Sequence, residues 1–453
     1  MQGKEQKLRL MGEAPVKQAL LKLGMPTLIG MSVSALYNVV DAFFVGQLGG
    51  SQMAAVALFA PISTALLGLA LLLGGGAASY ISRLLGAGRR EDAARCASTM
   101  LATALICAVV LLGGAIAFSG PLLGALGATE TMMPYALAYA TPFLVSMVFY
   151  SFNGTTNNLV TSEGATTVSM AAMLLGGIAN MVLDPVLIFA AGWGVFGAGA
   201  ATLIGTVLTS VVYVVYLAIG RSALGLSIRR IRPTAEMFAQ VLKIGVPNLV
   251  YQLLVSVALW ITNVLAAGYG DGAVAALGIV ARIMNLACMV SFGFVKGYQP
   301  FAGFNYGARQ FARVREATRT ACIWETVYAV AMAVLLIVFA EPVLAAFSQG
   351  DPEVVSIGAT ALFWNALSFT TFGVQAVYSA FFLALGKAKQ GAAIAVGRQG
   401  LFFIPVIFAA SAAFGLNGII AAQPVGDALS FLLVLVLVAK SKGVLSEKNQ
   451  QQS

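Results

Sequence analysis

Histidine is absent from all 453 residues, so His-ligated zinc, a Ser-His-Asp triad and imidazole proton relays are excluded. Charge is nearly as scarce: Asp, Glu, Lys and Arg make up 9% of the chain, where soluble domains carry about 25%. Cysteine is limited to Cys96, Cys107, Cys288 and Cys322, with no CxxC pair, which argues against a disulfide framework or a thiolate metal site. No GxxxxGK[ST] and no phosphate-cradling loop occurs, so the chain is not read as an enzyme and no cofactor is expected. What remains is apolar: 59% hydrophobic residues, a mean hydropathy of +0.90 and 49 glycines. Only lipid suits such a chain as solvent, and glycine is commoner in membrane-spanning helices than in soluble ones.

Windows of about 20 apolar residues predict twelve spans, six in each half. They cover 23–46, 53–80, 97–118, 132–157, 166–191 and 197–219, then 245–268, 273–300, 320–340, 354–384, 391–411 and 416–439. All but three of the 26 basic residues fall before the first span, in even-numbered connections or after the last span. The odd-numbered connections hold no base, only Glu130, Asp271, Glu341, Asp351 and Glu353. The positive-inside rule therefore predicts cytoplasmic termini and cytoplasmic even connections. The net charge of +9 marks topology and does not imply a nucleic-acid partner. No cleavable signal is evident, because the polar start leads into a long span without an A-x-A site.

The chain also repeats itself. LKLGMP at 21–26 returns as LKIGVP at 242–247, and the same offset pairs Gly49 with Gly270, Gly76 with Gly297 and Gly86 with Gly307. Further on, Gly164 pairs with Gly386, Pro185 with Pro405 and Phe196-Gly197 with Phe414-Gly415. Six spans per repeat return the chain to its starting side, so the halves are parallel repeats about an axis along the membrane normal. The expected organisation is a segment 1–22, an N-lobe 23–219, a linker 220–244, a C-lobe 245–439 and a tail 440–453, with both end segments and the linker cytoplasmic. A cleft between such lobes would support alternating access.

A charge near the centre of a spanning helix costs roughly 2.5–3.5 kcal/mol on the insertion scale and is a functional candidate by default. In the first lobe Asp41 and Asp184 lie inside spans with no base to neutralise them. Tyr37 precedes Asp41 by four residues, and Asn180 likewise precedes Asp184, placing each pair on one helix face. Pro185 cannot donate to the carbonyl of Met181, which frees that oxygen within a turn of Asp184. Two carboxylates, an amide and a loose carbonyl form an all-oxygen set suited to a hard cation. The same carboxylate pair could instead carry protons, and would titrate jointly. In the second lobe the mates of Asp41 and Asp184 are Thr262 and Ile404. Its internal charges are Arg282, Glu325, Arg398 and Asp427, expected to pair structurally, with Lys296 nearer the end of its span.

LYNVVDAFFVGQLG, ISRLLGAGRREDA, NMVLDPVLIF and QPFAGFNYGA, in that order and spacing, resemble the multidrug and toxic compound extrusion (MATE) family, most of all its bacterial MepA-like branch. The resemblance covers about residues 15–440. It implies an all-α fold of twelve transmembrane helices in two lobes, in the inner membrane of a bacterium. It also implies an antiporter that exports cationic amphiphilic drugs in exchange for Na⁺ or H⁺. Family members with a first-lobe cation site use an Asp, an Asn, a second Asp and a Thr. Asp41, Asn180, Asp184 and Thr202 stand at the matching positions here, and would be the metal ligands if the ion is Na⁺. The branch with acidic ligands in spans seven and ten is not matched. A cleft lined by Tyr37, Asn153, Asn157 and Met173 would suit flat organic cations. A monomer in the bilayer is expected. The rival reading is a flippase of lipid-linked cargo, whose related architecture the chain shares; it is disfavoured by an acidic, base-free first-lobe interior.

Overall fold

The computed structural model describes residues 2–118, 121, 123–124, 128–348 and 350–441. All regular structure among them is helical. A short polar helix, α1 (Gln2–Gly12), leads into α2 (Val16–Gly46), α3 (Gly50–Gly86), α4 (Arg90–Ala117), α5 (Met133–Ser162), α6 (Thr166–Ala190) and α7 (Gly194–Ala218). The second half contains α8 (Ala235–Ala267), α9 (Asp271–Gly307), α10 (Phe311–Val338), the short α11 (Ala340–Ser348), α12 (Pro352–Ala384) and α13 (Ala388–Lys440). Apart from α1 and α11, each is long and apolar enough to cross a membrane, which makes the chain a polytopic membrane protein. Lys442, Lys448 and the rest of 442–453 lie outside the described residues.

At 53 residues α13 would be about 80 Å long if straight, against a hydrocarbon core of about 30 Å. Gly415 resolves the excess. Its φ of 59° and ψ of −134° lie outside the helical region, and the chain doubles back there. A methyl on Gly418 would stand 1.9 Å from the carbonyl of Ala410, and one on Gly426 would stand 3.5 Å from Cα of Phe403. Eleven apolar helices are therefore twelve spans.

At the end that carries the basic connections, most helices overrun the apolar stretches. α2 begins at Val16 instead of 23, α8 at Ala235 instead of 245, and α9 runs on to Gly307 instead of 300. Hydropathy detects the part of a helix that lipid covers, while backbone hydrogen bonding continues for another turn or two into water. Thr234 starts α8 by accepting from the Met237 amide at 3.3 Å. The linker 220–244 of the sequence reading thus loses its last ten residues to α8.

The two repeats meet face to face. A methyl on Gly86 would stand 1.9 Å from the carbonyl of Phe304, and one on Gly307 would stand 2.1 Å from the carbonyl of Arg83. These are one contact seen twice, because 86 and 307, like 83 and 304, differ by the repeat offset of 221. A two-fold axis between the repeats makes that double contact, and the even number of spans in each repeat sets the axis along the membrane normal. A single hydrophobic core crosses the seam here, from Leu20, Leu23 and Ile81 to Phe294, Tyr298 and Phe301. Toward the opposite end the core divides. One part, around Phe59, Tyr139 and Phe143, belongs to the first lobe alone, and another, around Ile261, Leu362 and Ile407, to the second. Every recorded hydrogen bond between the lobes, among the described residues, lies in the basic half: Ser79 to the Leu383 carbonyl at 2.6 Å, Arg83 to the Ala384 carbonyl at 2.9 Å, Lys296 to Asn157, and Asn305 and Arg313 to the end of α1. The molecule is joined at its basic end and cleft at the other.

Candidate functional site

Helix geometry brings the first-lobe carboxylates toward one another. A methyl on Gly30 would stand 3.1 Å from the Met173 sulfur, so that face of α2 packs on α6. Eleven residues turn a helix through just over three full revolutions, which places Asp41 on the Gly30 face. Tyr37 shares that face, its ring 3.6 Å from where a Gly177 side chain would begin. On its other side α6 lies so close to α7 that a methyl on Gly176 would meet the Thr209 hydroxyl at 1.9 Å. Only glycine admits this approach, which sets Asn180 and Asp184 against Thr202.

Asp184 is completely buried and its Oδ1 has no hydrogen-bond partner. With the Asn180 amide turned so that its nitrogen faces Asp184, which satisfies both of its ends, Oδ2 accepts from that nitrogen at 3.3 Å and the Asn180 oxygen accepts from the backbone N–H of Thr202 at 3.2 Å. The Thr202 hydroxyl donates to the Ala198 carbonyl at 3.1 Å, so its oxygen can still act as an acceptor. Asp41 is half-buried and makes no hydrogen bond or ion pair among the described residues. After Pro185 the helix rewinds as a π turn over Val186–Ala190, the local consequence of a missing N–H beside an acid. Asn180, Asp184 and Thr202 are thus in contact, with Asp41 and Tyr37 on the α2 face that looks at α6. Among the described residues no three acidic, Cys or His side chains cluster as a polyvalent metal site. Two carboxylates with neutral oxygens form an all-oxygen set suited to a hard cation, and a pair that shares a proton titrates jointly.

The other first-lobe polar residues are occupied in packing. Asn153 donates to the Thr206 carbonyl at 2.8 Å and accepts from Ser210 at 2.8 Å, which ties α5 to α7 and engages both ends of its amide. The Asn157 NH₂ meets the Ser169 hydroxyl, the Tyr213 hydroxyl at 2.8 Å and the Met173 sulfur at 3.5 Å, while its oxygen accepts from Lys296 of the other lobe. Met173 lies between α2 and α5. Asn157 therefore sits where the lobes meet, Met173 lies beside it within the first lobe, and Asn153 is a strut within that lobe.

Among the described residues of the second lobe one ion pair forms. Arg398 Nε donates to Asp427 Oδ1 at 2.8 Å, with side-chain exposures of 10% and 2%. Gln423 donates to the same oxygen at 2.7 Å and Ser368 to Oδ2 at 3.0 Å. The guanidinium also lies 4.5 Å from the Phe372 ring centre. Glu325 is buried and accepts from the Ser291 hydroxyl, and Arg282 is exposed. The expected pairing of four charges is one closed pair and two separate groups, because Arg282 and Glu325 stand on different sides of their helices.

Sequence reasoning passed over Glu163. It follows α5, is fully buried, and accepts from the hydroxyls of Tyr216 and Ser222 and from the backbone of Ala223 and Leu224. Lys7 of α1 reaches the same Tyr216 hydroxyl and the Arg221 carbonyl. Burial pushes the Glu163 carboxyl up, against the pull of the Tyr216 hydroxyl, Lys7, Ser222 and the Ala223 amide. A lone acid at the edge of a span gives no signal, since the linker that covers it arrives from about sixty residues away.

The MatE family model matches the chain twice, over residues 26–186 and 247–409, in step with the internal repeat. The multidrug export protein MepA of Staphylococcus saprophyticus is 27% identical over 96% of each chain. A multidrug resistance MATE family transporter of the MOP superfamily, solved in an outward-facing conformation, superposes with a TM-score of 0.90 at 27% identity, over 97% of this chain and 98% of that one. A MOP superfamily transporter from Pyrococcus furiosus, described as having a binding pocket of reverse polarity that suggests a different function, superposes with a TM-score of 0.89 at 27% identity over the same shares.

Proposed function

The chain belongs to the MatE family, and from that premise we propose that it is a secondary multidrug efflux carrier, exchanging amphiphilic cations for Na⁺ or H⁺ by alternating access. The observation that carries the coupling is the contrast between two buried acids. Asp427 has an arginine and two neutral donors, so nothing more is needed there. Asp184 has one amide and an orphaned oxygen beside a half-exposed second acid. A buried carboxylate in that state is costly, and a cation or proton held among Asp41, Asn180, Asp184 and Thr202 removes the cost.

In the bacterial inner membrane the positive-inside rule puts the basic end and both termini in the cytoplasm, so the cleft opens outward. That orientation agrees with the outward-facing relative. An ion entering from outside reaches Asp41 first and Asp184 beneath it. Filling the site draws α2 toward α6, which narrows the first-lobe wall and weakens the hold on a bound organic cation. The drug leaves, the lobes rock, and the ion is released inside. One inward monovalent cation gains about 2.3 kcal/mol per 100 mV. Exchange for one drug cation cancels that electrical gain and leaves the ion gradient as the drive. A flippase of anionic lipid-linked cargo is the second reading; it draws on Arg282 and Lys296, which have no carboxylate within ion-pair distance among the described residues.

Ethidium efflux from proteoliposomes, with Na⁺ and pH gradients imposed separately, tests this. One gradient should drive efflux, and Asp41→Asn and Asp184→Asn should each reduce it at least 100-fold while the protein still inserts and folds. Gradient-driven efflux at wild-type rates in both variants would sink the site assignment. No efflux under either gradient would favour the anionic cargo.

A further inference from the structure

The basic end is closed by two crossings related by the repeat axis, and they are not alike. At one, Arg83 of α3 reaches the end of α12. Its guanidinium donates to the Ala384 carbonyl at 2.9 Å and lies 3.1 Å from where a Gly386 side chain would begin. The repeat mates of Arg83 and Gly386 are Phe304 and Gly164. At the second crossing Gly164 is covered by the Met11 sulfur, 3.3 Å from where its side chain would begin, while the Phe304 ring lies 3.2 Å from the same point on Gly12. Met11 and Gly12 belong to α1, so this helix fills the place that a second arginine would take. It is held from both sides. On the first lobe Lys7 reaches the Tyr216 hydroxyl and the Arg221 carbonyl. From the second lobe Asn305 donates to the Met11 carbonyl at 3.0 Å, and Arg313 to the Met11 and Ala14 carbonyls at 3.2 and 2.7 Å. The last carbonyls of a helix have no partner within it and carry partial negative charge, which suits a guanidinium. Of residues 4–12 only Leu8 and Met11 are buried, so the docked face is small.

Alternating access requires the basic end to part, and α1 cannot then stay on both lobes. Residues 13–15 tie it directly to α2, and Met11 and Lys7 hold it to the first lobe, so it travels with that lobe. We propose that α1 is a strap that holds the basic end shut, with Arg313 as its catch, and that inward opening requires the second lobe to release it. The contacts that part are the Phe304 ring on Gly12 and the hydrogen bonds from Asn305 and Arg313. None of these groups belongs to the ion site or to the cleft walls. The strap therefore sets the balance between outward-open and inward-open forms without contacting ion or cargo. This rests on the alternating-access reading and adds to it a determinant of the resting state.

Spin labels at Arg89 and Gln310, exposed repeat mates at the rim of the basic end, measure its opening in nanodiscs. The short distance should dominate in the otherwise unaltered chain. Arg313→Gln leaves α1 in place and should raise the ratio of long to short distances about tenfold, as expected for losing a charge-assisted bond. Deleting residues 2–12 should raise it at least as much. Arg313→Gln added to that deletion should change nothing more, because the catch then has nothing to hold. If the shortened chain does not fold, Gly12→Leu, which drives a side chain against the Phe304 ring, takes its place in the comparison. Equal effects of Arg313→Gln with and without a docked α1 would make Arg313 a support of its own lobe. An unchanged ratio in every variant would make α1 a passive cover. With ethidium efflux retained, either result overturns the strap and leaves the export reading standing. A ratio in the otherwise unaltered chain that ignores both ion gradients and drug, with no ethidium efflux, would remove alternating access and the strap with it.

Discussion

Asp427 and Asp184 are both buried aspartates in spanning helices, and their partners separate a structural role from a transporting one. Removing charge from Asp427 leaves Arg398 uncompensated, and losing one member of such a pair costs about 3–5 kcal/mol. Asp427→Asn should therefore lower the midpoint of thermal unfolding in detergent sharply, and the double change Arg398→Met with Asp427→Leu should restore most of it. If the single change leaves the midpoint unmoved, the pair is not holding the second lobe together. Asp41 and Asp184 were legible in the sequence because an unneutralised acid in an apolar window is rare. Thr202 was not, since a threonine in an apolar helix carries no pattern, and only family resemblance pointed to it. Asn153 and Asn157 show the opposite limit. A buried amide reads equally well as a ligand or as a strut, and the choice depends on Thr206, Ser210 and Lys296, contacts that lie 53, 57 and 139 residues away.

Among the elements, hydropathy located every span but marked the lipid boundary in place of the helix end, as α2, α8 and α9 illustrate. The polar overruns were invisible to it, and so was the way they pack. α1 rests across both repeats: Met11 and Leu8 are buried, Lys7 reaches the Glu163 cluster, and Asn305 and Arg313 donate to the Met11 carbonyl at 3.0 and 3.2 Å. Glu163 ties α5, α7 and the linker beneath it. Its carboxyl is held above the ordinary glutamate value, so the folded state binds a proton that the unfolded chain has already released. The resulting stability is full below about pH 4.3 and is lost as pH rises through the raised value. Unfolding midpoints measured from pH 4 to 7 should fall with pH in the wild type by an amount that Glu163→Gln abolishes. A parallel slope in the variant would assign the effect to another group.

At the scale of the whole molecule the seam is a contact between backbones. Gly86 against the Phe304 carbonyl and Gly307 against the Arg83 carbonyl leave no room for a methyl group. Gly86→Ala and Gly307→Ala should each hold the basic end ajar, and by the repeat axis they should do so to the same extent. Spin labels on the ends of α3 and α9 should report a longer distance in both variants; a shift in only one would mean that the two halves do not share the load equally. The offset of 221 made the axis readable from the sequence alone. The division of the core was not readable, because alternating tight and open packing leaves the apolar pattern unchanged.

Because the glycine contacts of the seam occur twice, the backbone surface one lobe offers there is the surface it receives, as in an isologous dimer. The peptide connection near residues 219–234 packs on the first lobe through Glu163, Ser98 and Thr99 and gives the two lobes only proximity to one another. Co-expressed as two chains cut in that stretch, the halves should find one another in the membrane and copurify, with Asn305 and Arg313 of one partner bound to the end of α1 in the other. Such a pairing admits two identical halves as readily as two different ones, so a single six-helix unit carrying the acids could in principle pair with itself. The fused chain avoids that. It guarantees one acidic wall and one basic wall in every molecule, a polarity that no symmetric dimer can have.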